Sequence, residues 1–564
     1  GDNNMRLTKN ACKVWVLTLL AAHLEDATAF NVGKVIPTTT RVSTSSAWRT
    51  SKSALHAKKS NTNEQQRSAT VQNFSSWAKN AGIQYAGVEV GDCDTGGLGL
   101  LGTKDLSAGN LVVQVPSKIA LSVKTPDDYN RKVESVFKDN DGDRKVYRKL
   151  PWWAQLSLQL NVLDKIDSAS DQDSSTDLRP WLDSLPRKFG TPLHWSTSAM
   201  ADLQYEHLDQ AVANQKILWK QTYDTIMSSA GSTASPLRSK VSYDDFVWGC
   251  ECARSRAFSG AYSGAAFNPL PYALTLFLVA AYIAAGLGSL EQAANGAGLV
   301  LCGSILNDFV LPKLLKSNKY IICPYIDMAN HNSKSPNADV AFEYFADAYS
   351  LAISNNKSIT KDSQLFISYG PRSNDQLLQY YGFVEPNNPN DIYVMPPIRE
   401  WNIEAIEKAC GTTFSGGRLA KLDKAGLLGQ QQQTISSDGN NDLEPANVAG
   451  GVVITKSDGI DPAVLLAVRA LVSTDEEWEA AGEAIGNFAA VVSPQNERRA
   501  KLAAKTAMEL ELASKPTSLE EDTALLKTMD TKLGSGLGGE EEKVALLFRI
   551  EKKKLLQAAI TNIG

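Results

Sequence analysis

Histidine is scarce in this chain, five in 564 residues, and His194 and His207 stand at no spacing that would join His331 in a metal site. The seven cysteines follow no regular spacing, which excludes a disulfide scaffold. Cys250 and Cys252 lie two apart in a helical pattern and so face different ways, so no zinc site is predicted. Positive charge is not in excess: 57 Lys+Arg stand against 62 Asp+Glu, and a pI near 5.8 argues against a general nucleic-acid binder, which needs a basic face. No Gly-x-Ser-x-Gly elbow or phosphate loop is present. Gly97-x-Gly99-x-x-Gly102 matches the letters of a dinucleotide fingerprint, but another strand pattern follows it rather than a helix. What remains is a globular composition, 43% hydrophobic and 21% charged, long enough for two or three domains.

Acidic residues are missing from one stretch altogether. Phe30 to Asn63 has no Asp or Glu, six basic residues and twelve Ser or Thr, the composition of an organelle transit peptide. Before it, Arg6, Lys9 and Lys13 precede the apolar run Val14 to Ala22, and Ala27-Thr-Ala29 reads as a cleavage site. The run is too short to span a bilayer. A signal peptide over 1–29 followed by a disordered transit peptide over 30–66 resembles the two-part plastid presequence of algae. Residues 1–63 hold nine basic and three acidic groups, so their removal leaves 48 against 59, a net charge of −11. Residues 400–564 contribute 18 against 25.

Beyond the presequence the pattern is α+β. Leu111 to Pro116, Tyr320 to Ile326 and Gln364 to Tyr369 read as strands, and Val340 to Ser354 alternates like a hairpin. Trp152 to Leu163, Met200 to Ser229 and Ser242 to Arg256 carry apolar residues at helical spacing. Ser373 reads as the N-cap of a short helix ending at Gly382. Past Arg399 the pattern is helical, with helices over Asp461 to Val472, Pro494 to Ser514, Ser518 to Met529 and Glu540 to Ile563. Residues 257–307 contain a single charge, Glu291. They read either as a buried helical pair or as a membrane hairpin, the latter diluted by Pro269, Pro271 and many Gly and Ala.

Five motifs occur in order: Gly96-Gly-Leu-Gly-Leu100, Arg254-Ser-Arg-Ala-Phe258, Pro324-Tyr-Ile-Asp-Met-Ala-Asn-His331, Ile367-Ser-Tyr-Gly-Pro-Arg-Ser-Asn374 and Tyr380-Tyr-Gly-Phe-Val-Glu385. Together they resemble the SET-domain methyltransferases of the Rubisco large-subunit methyltransferase type. Lys515-Pro-Thr-Ser-Leu-Glu-Glu-Asp522 and Arg549-Ile-Glu-Lys-Lys-Lys-Leu555 are similar to the family's C-terminal motifs. The resemblance implies a SET domain of short strands over 67–399, with a helical insert at about 140–318. An all-α substrate-binding domain would follow over 400–564.

The resemblance also implies methyl transfer from S-adenosylmethionine to a protein lysine, with Rubisco large subunit or aldolase as substrate classes. Tyr369 would stand at the methyl-transfer point, and with Tyr381 would line the acceptor channel. Gly97, Leu98, Arg256, Asn330, His331, Tyr381, Gly382 and Phe383 would contact the cofactor, Arg256 at its carboxylate. Asp327 would stabilise its turn. Gly96 stands where the family often has an acidic residue, a departure that bears on one of the family's cofactor contacts. The actin-histidine branch lacks a tyrosine at Tyr381, which favours lysine as acceptor. The competing readings are a histidine methyltransferase and a catalytically weak, membrane-associated binding protein that keeps the fold.

Overall fold

The computed structural model describes residues 57–93, 97–123, 146–166, 178–229, 236–260, 319–343, 346–428, 451–456, 459–482, 484–532 and 540–563, with a few single positions between them. The signal segment, most of the transit segment and nearly all of the apolar stretch 257–307 lie outside the described residues. Among the described residues no helix is long and apolar enough to cross a membrane.

A helix over Ala57–Asn80 comes first, so the boundary expected after residue 66 falls inside it. Phe74, Trp77, Ala78 and Ala81 lie on one face by three-and-four spacing and are buried. Short strands then build three small sheets. β1 (Gln84–Tyr85), β4 (Leu111–Pro116), β10 (Ala348–Ile353) and β9 (Ala338–Glu343) form one sheet in the order β1-β4-β10-β9. β2 (Val88–Asp92), β3 (Leu98–Gly102), β11 (Gln364–Ile367) and β8 (Asn330–His331) form the second, β2-β3-β11-β8. β5 (Leu121–Ser122), β7 (Lys319–Ile322) and β6 (Phe258–Gly260) form the third. β11 runs antiparallel to β3 but parallel to β8, which brings residues far apart in sequence to one edge. The expected strand Tyr320 to Ile326 ends at Ile322. Pro324 has no amide hydrogen to continue a ladder, and Tyr325 turns the chain at φ 75° while buried against Tyr85 and Phe74.

The insert supplies helices Trp152–Asn161 and Tyr243–Arg256, which pack closely together. The single helix expected over Met200 to Ser229 is two: Thr197–Ala201, then Glu206–Ser229. Between them Gln204 takes φ 51°. The break lets Leu203 and Tyr205 both turn into the C-terminal core, where the Tyr205 hydroxyl accepts the Val394 amide at 2.7 Å. Arg549 donates to the Asp202 carbonyl freed by the break, at 2.8 Å.

The C-terminal part is helical as expected, with helices Pro462–Leu471, Pro494–Ala513, Leu519–Lys532 and Glu540–Asn562. A small sheet is an addition: β13 (Val452–Thr455) pairs with both β12 (Ile392–Met395) and β14 (Gly459–Ile460). Its core is not confined to residues after 399. Trp195, Tyr205, Leu208, Leu378, Tyr393 and Met395 are buried in the same cluster as Phe548, Leu555 and Leu556.

One buried ionic cluster ties the last helix to the part of the chain that carries the five motifs. Lys552, Asp375 and Asp391 are all buried. The Lys552 ammonium donates to Asp375, to Asp391 at 2.8 Å and to the Ile392 carbonyl at 2.6 Å, which uses all three of its hydrogens. Burial alone would lower its pKa, but the two carboxylates outweigh burial and hold it above the usual lysine value. Beside it, Arg549 and Lys553 share the buried Asp522. Lys552→Met removes the counter-charge and leaves two carboxylates buried together. The expected loss is about 3–5 kcal/mol of unfolding free energy, read from urea or guanidinium melts; a loss below about 1 kcal/mol would show the cluster to be solvated.

Candidate active site

The parallel pairing of β8 with β11 sets Asn330 against Phe366 and His331 against Ile367. Two of the sequence motifs therefore meet, and Tyr369, two residues past the end of β11, stands over His331. Its backbone amide donates to His331 Nδ1 at 3.0 Å, and its hydroxyl donates to the Ala329 carbonyl at 2.9 Å. The two rings stack at 4.9 Å between centroids.

The helix Asn374–Tyr381 delivers the next side chains. A capping box between Ser373 and Gln376 starts it, and Gly382 ends it in the left-handed conformation at φ 77°. Tyr381, on its last turn, stacks on Tyr369 at 4.9 Å. Phe383 follows at 6.2 Å from Tyr381 and 6.3 Å from His331. Burial pushes the hydroxyl pKa of both tyrosines up, so they stay neutral donors and acceptors across the physiological range. His331 is held below the usual imidazole value by burial, against the pull of Glu385.

A third corner is ionic. Asp327 sits in a turn of 3-10 helix, Ile326–Met328. Its Oδ2 accepts from Trp181 Nε1 and from Arg256 Nη1, each at 3.1 Å. Arg256 also donates to the Asp327 backbone carbonyl at 3.1 Å. These contacts tie the turn to Trp181 and Arg256. Arg256 Nε and Asp327 Oδ1 are buried and have no hydrogen-bond partner among the described residues. Burial raises the Asp327 pKa despite the opposing pull of Arg256 and Trp181.

The glycine loop closes the group. Gly97 takes φ 108° with open space around it, and the Leu98 carbonyl accepts from Asn330 Nδ2 at 3.3 Å. Gly99 allows this approach: a Cβ there would lie 2.7 Å from Asn330 Nδ2 and 2.4 Å from Cys93 Sγ. Gly97, Leu98, Arg256, Asn330, His331, Tyr369, Tyr381, Gly382 and Phe383 thus fall into one connected region. Two surface clefts, one of 470 Å³ beside Lys456, Lys501 and Lys554 and one of 550 Å³ beside His194 and Ile217, contain none of them.

Sequence reasoning assigned nothing to three residues that hold this region. Trp181 carries Asp327, and its indole had no motif to mark it. Arg372 donates from Nε to the Tyr369 carbonyl at 3.2 Å. Glu385 accepts from the Ser333 amide at 3.1 Å and from its hydroxyl. Both Arg372 and Glu385 stood inside quoted motifs, and that position was the only signal.

Family comparison matches the SET domain over residues 97–370 and the Rubisco LSMT substrate-binding domain over residues 418–556. The chain therefore has a SET domain with a Rubisco LSMT-type substrate-binding domain behind it. Between the two matched segments lie Tyr381, Gly382, Phe383 and Glu385. Over most of its length the chain resembles the Rubisco large-subunit methyltransferase family. It is 22% identical over 547 residues to the chloroplastic ribulose-1,5-bisphosphate carboxylase/oxygenase large subunit N-methyltransferase of Pisum sativum, covering 93% of this chain and 91% of that protein. It is 25% identical over 329 residues to the actin-histidine N-methyltransferase of Drosophila melanogaster, covering 58% of this chain; the match spans about half, 51%, of that relative. The chloroplastic fructose-bisphosphate aldolase-lysine N-methyltransferase of Arabidopsis thaliana is 21% identical, over 86% and 81% of the two chains. Among solved structures, the SET domain of LSMT bound to lysine and AdoHcy superposes with a TM-score of 0.54 at 19% identity, covering 88% and 91%. That likeness establishes the fold.

Gly382→Ala tests the geometry of the aromatic group. A left-handed φ costs a non-glycine residue about 1–2 kcal/mol, and the new Cβ would lie 3.0 Å from the Gly190 carbonyl carbon and 3.3 Å from the Thr191 amide. Backbone on both sides cannot yield cheaply. A loss of about 2–3 kcal/mol in denaturant melts is expected; an unchanged midpoint would mean that the loop at 190–191 does not abut the helix end.

Proposed function

We propose that this protein is an S-adenosylmethionine-dependent protein-lysine N-methyltransferase of the SET type. The observation that carries the reading is the half-buried stack of His331, Tyr369 and Tyr381, set beside the Arg256–Asp327 pair. The residues present fit the cofactor on their own chemistry. Arg256 Nε is a buried donor with no partner among the described residues, suited to a carboxylate. The Gly97 backbone is open to close approach, and Asn330 holds the neighbouring Leu98 carbonyl. When bound, S-adenosylmethionine supplies a methyl already activated by its sulfonium, so the chain needs no general base at the methyl.

The chain's own residues then do a positioning task. Tyr369 donates its hydroxyl proton to the Ala329 carbonyl, which leaves its lone pairs to accept from an acceptor amine. The faces of Tyr369 and Tyr381 favour a cation or a polarised methyl. Their raised pKa values exclude a tyrosinate base near neutral pH, so the acceptor must lose its proton to solvent before or during entry.

Lysine is preferred to histidine as acceptor because Tyr381 stacks on Tyr369 where the histidine branch of the resembling family lacks a tyrosine. The likeness to actin-histidine methyltransferases supports histidine as the second reading. A plastid protein, Rubisco large subunit or an aldolase, is the proposed substrate class, supported by the acid-free, hydroxyl-rich segment Phe30 to Asn63 and the resemblance to chloroplastic relatives.

The test is transfer of labelled methyl to plastid stromal proteins, followed by hydrolysis and identification of the methylated amino acid. Methyl-lysine is expected, and Tyr369→Phe should lower kcat about 10²-fold. Methyl-histidine would establish the second reading, and no transfer would end both. The pH profile separates acceptors independently. A lysine with an unperturbed pKa near 10.4 gains about tenfold in neutral fraction per unit between pH 7 and 9, so the rate should climb steadily. A histidine acceptor, ionising near 6.5, would give a flat rate above about pH 7.5.

A further inference from the structure

The Tyr369 amide donates to His331 Nδ1 at 3.0 Å, so that nitrogen must be the unprotonated one. His331 is then the neutral tautomer with its hydrogen on Nε2. If the hydrogen moved to Nδ1, two donors would face each other and Tyr369 would lose the bond that holds its backbone amide. The amide thus disfavours a proton on Nδ1, and the surroundings of Nε2 set how strongly the other tautomer is held. That nitrogen is buried and has no hydrogen-bond partner among the described residues, and the Glu385 carboxylate lies 3.7 Å from it. The contact is longer than a hydrogen bond and close enough for electrostatic control.

Glu385 is itself held on every side. Its carboxylate takes the amide and hydroxyl of Ser333, two residues beyond His331. Its backbone is clamped by Asn374, whose Oδ1 accepts the Glu385 amide at 2.9 Å and whose Nδ2 donates to the Glu385 carbonyl at 3.2 Å. A carboxylate fixed this firmly next to an imidazole edge favours a hydrogen pointing at it. We propose that Glu385 is a positioning residue for the methyl-transfer site, holding His331 in the Nε2–H tautomer whose Nδ1 anchors Tyr369. This rests on the methyltransferase reading for its catalytic consequence, while the tautomer itself stands without it.

Two measurements test it on the full chain. Selective ¹⁵N-histidine labelling with long-range ¹H–¹⁵N correlation reads the tautomer, with His331 assigned by loss of its signals in His331→Asn. Wild type should show the Nε2–H form, and Glu385→Ala a mixture of the two. Glu385→Gln keeps an acceptor oxygen and should recover part of the preference. Ser333→Ala, which loosens the carboxylate without removing it, should shift the tautomer in the same direction by less. In the methylation assay, Glu385→Ala should lower kcat about tenfold or more while KM for S-adenosylmethionine stays within about twofold. A role confined to folding would instead lower the amount of active enzyme and leave the tautomer of the folded fraction intact.

A single Nε2–H tautomer in folded Glu385→Ala would overturn the proposal, whatever the activity. If Glu385→Ala does not fold, an unchanged tautomer in both Glu385→Gln and Ser333→Ala would overturn it in the same way. If wild type transfers no methyl, the functional reading fails and the tautomer still decides the role of Glu385.

Discussion

The buried ammonium of Lys552 is the constraint on which the site depends. Its three hydrogens go to Asp375, Asp391 and the Ile392 carbonyl, so a helix at the very end of the chain fixes three points around residues 375–392. Asp375 lies in the first turn of the helix that ends at Tyr381. Asp391 in turn accepts the amide and side-chain amide of Asn374, each at 2.9 Å. An ion buried this deeply cannot shift without leaving an unpaired charge. The helix that carries Tyr381 is therefore pinned at its start by charge and at its end by the tight fit of Gly382 against Gly190 and Thr191.

That arrangement accounts for why the C-terminal part cannot be treated as a docking module hung on a finished catalytic half. Tyr205, Leu378 and Tyr393 are buried in the same core as Phe548 and Leu556, and the catalytic half holds Asp375 and Asp391 while the C-terminal helix holds the balancing cation. Without that helix, two buried carboxylates would face an apolar surface. The same bonds continue inward: Asn374 clamps Glu385, Glu385 takes Ser333, and His331 anchors Tyr369. Packing and hydrogen bonding form one path from the last helix to Tyr369.

Much of this was legible in the sequence where a single residue type has one good use. Ser373 as a cap, Gly382 as a helix end and the strand Leu111–Pro116 follow from local chemistry. The grouping of Tyr369, His331 and Tyr381 came from motif order, which locates segments without giving distances. What local pattern missed depends on distant partners. Gln204 breaks a helix because Tyr205 and Arg549 draw the chain elsewhere. β13 and β14 exist because β12 offers an edge nearly sixty residues away. Trp181 and Glu385 carry no periodic or spacing signal, since their roles lie in bonds to remote residues, Asp327 for Trp181 and Ser333 for Glu385.

The ionic corner and the aromatic corner solve different problems with the same device. At Arg256 a guanidinium is partly satisfied by Asp327, and Asp327 is oriented by Trp181, while the guanidinium Nε has no partner among the described residues. At His331 a buried imidazole is half satisfied by Tyr369, with Glu385 facing its other nitrogen. In both places a rigid neighbour fixes one side of a functional group and leaves the chemistry to the other. Preorganisation of this kind moves the cost of ordering into folding, so that little reorganisation remains at the moment of reaction.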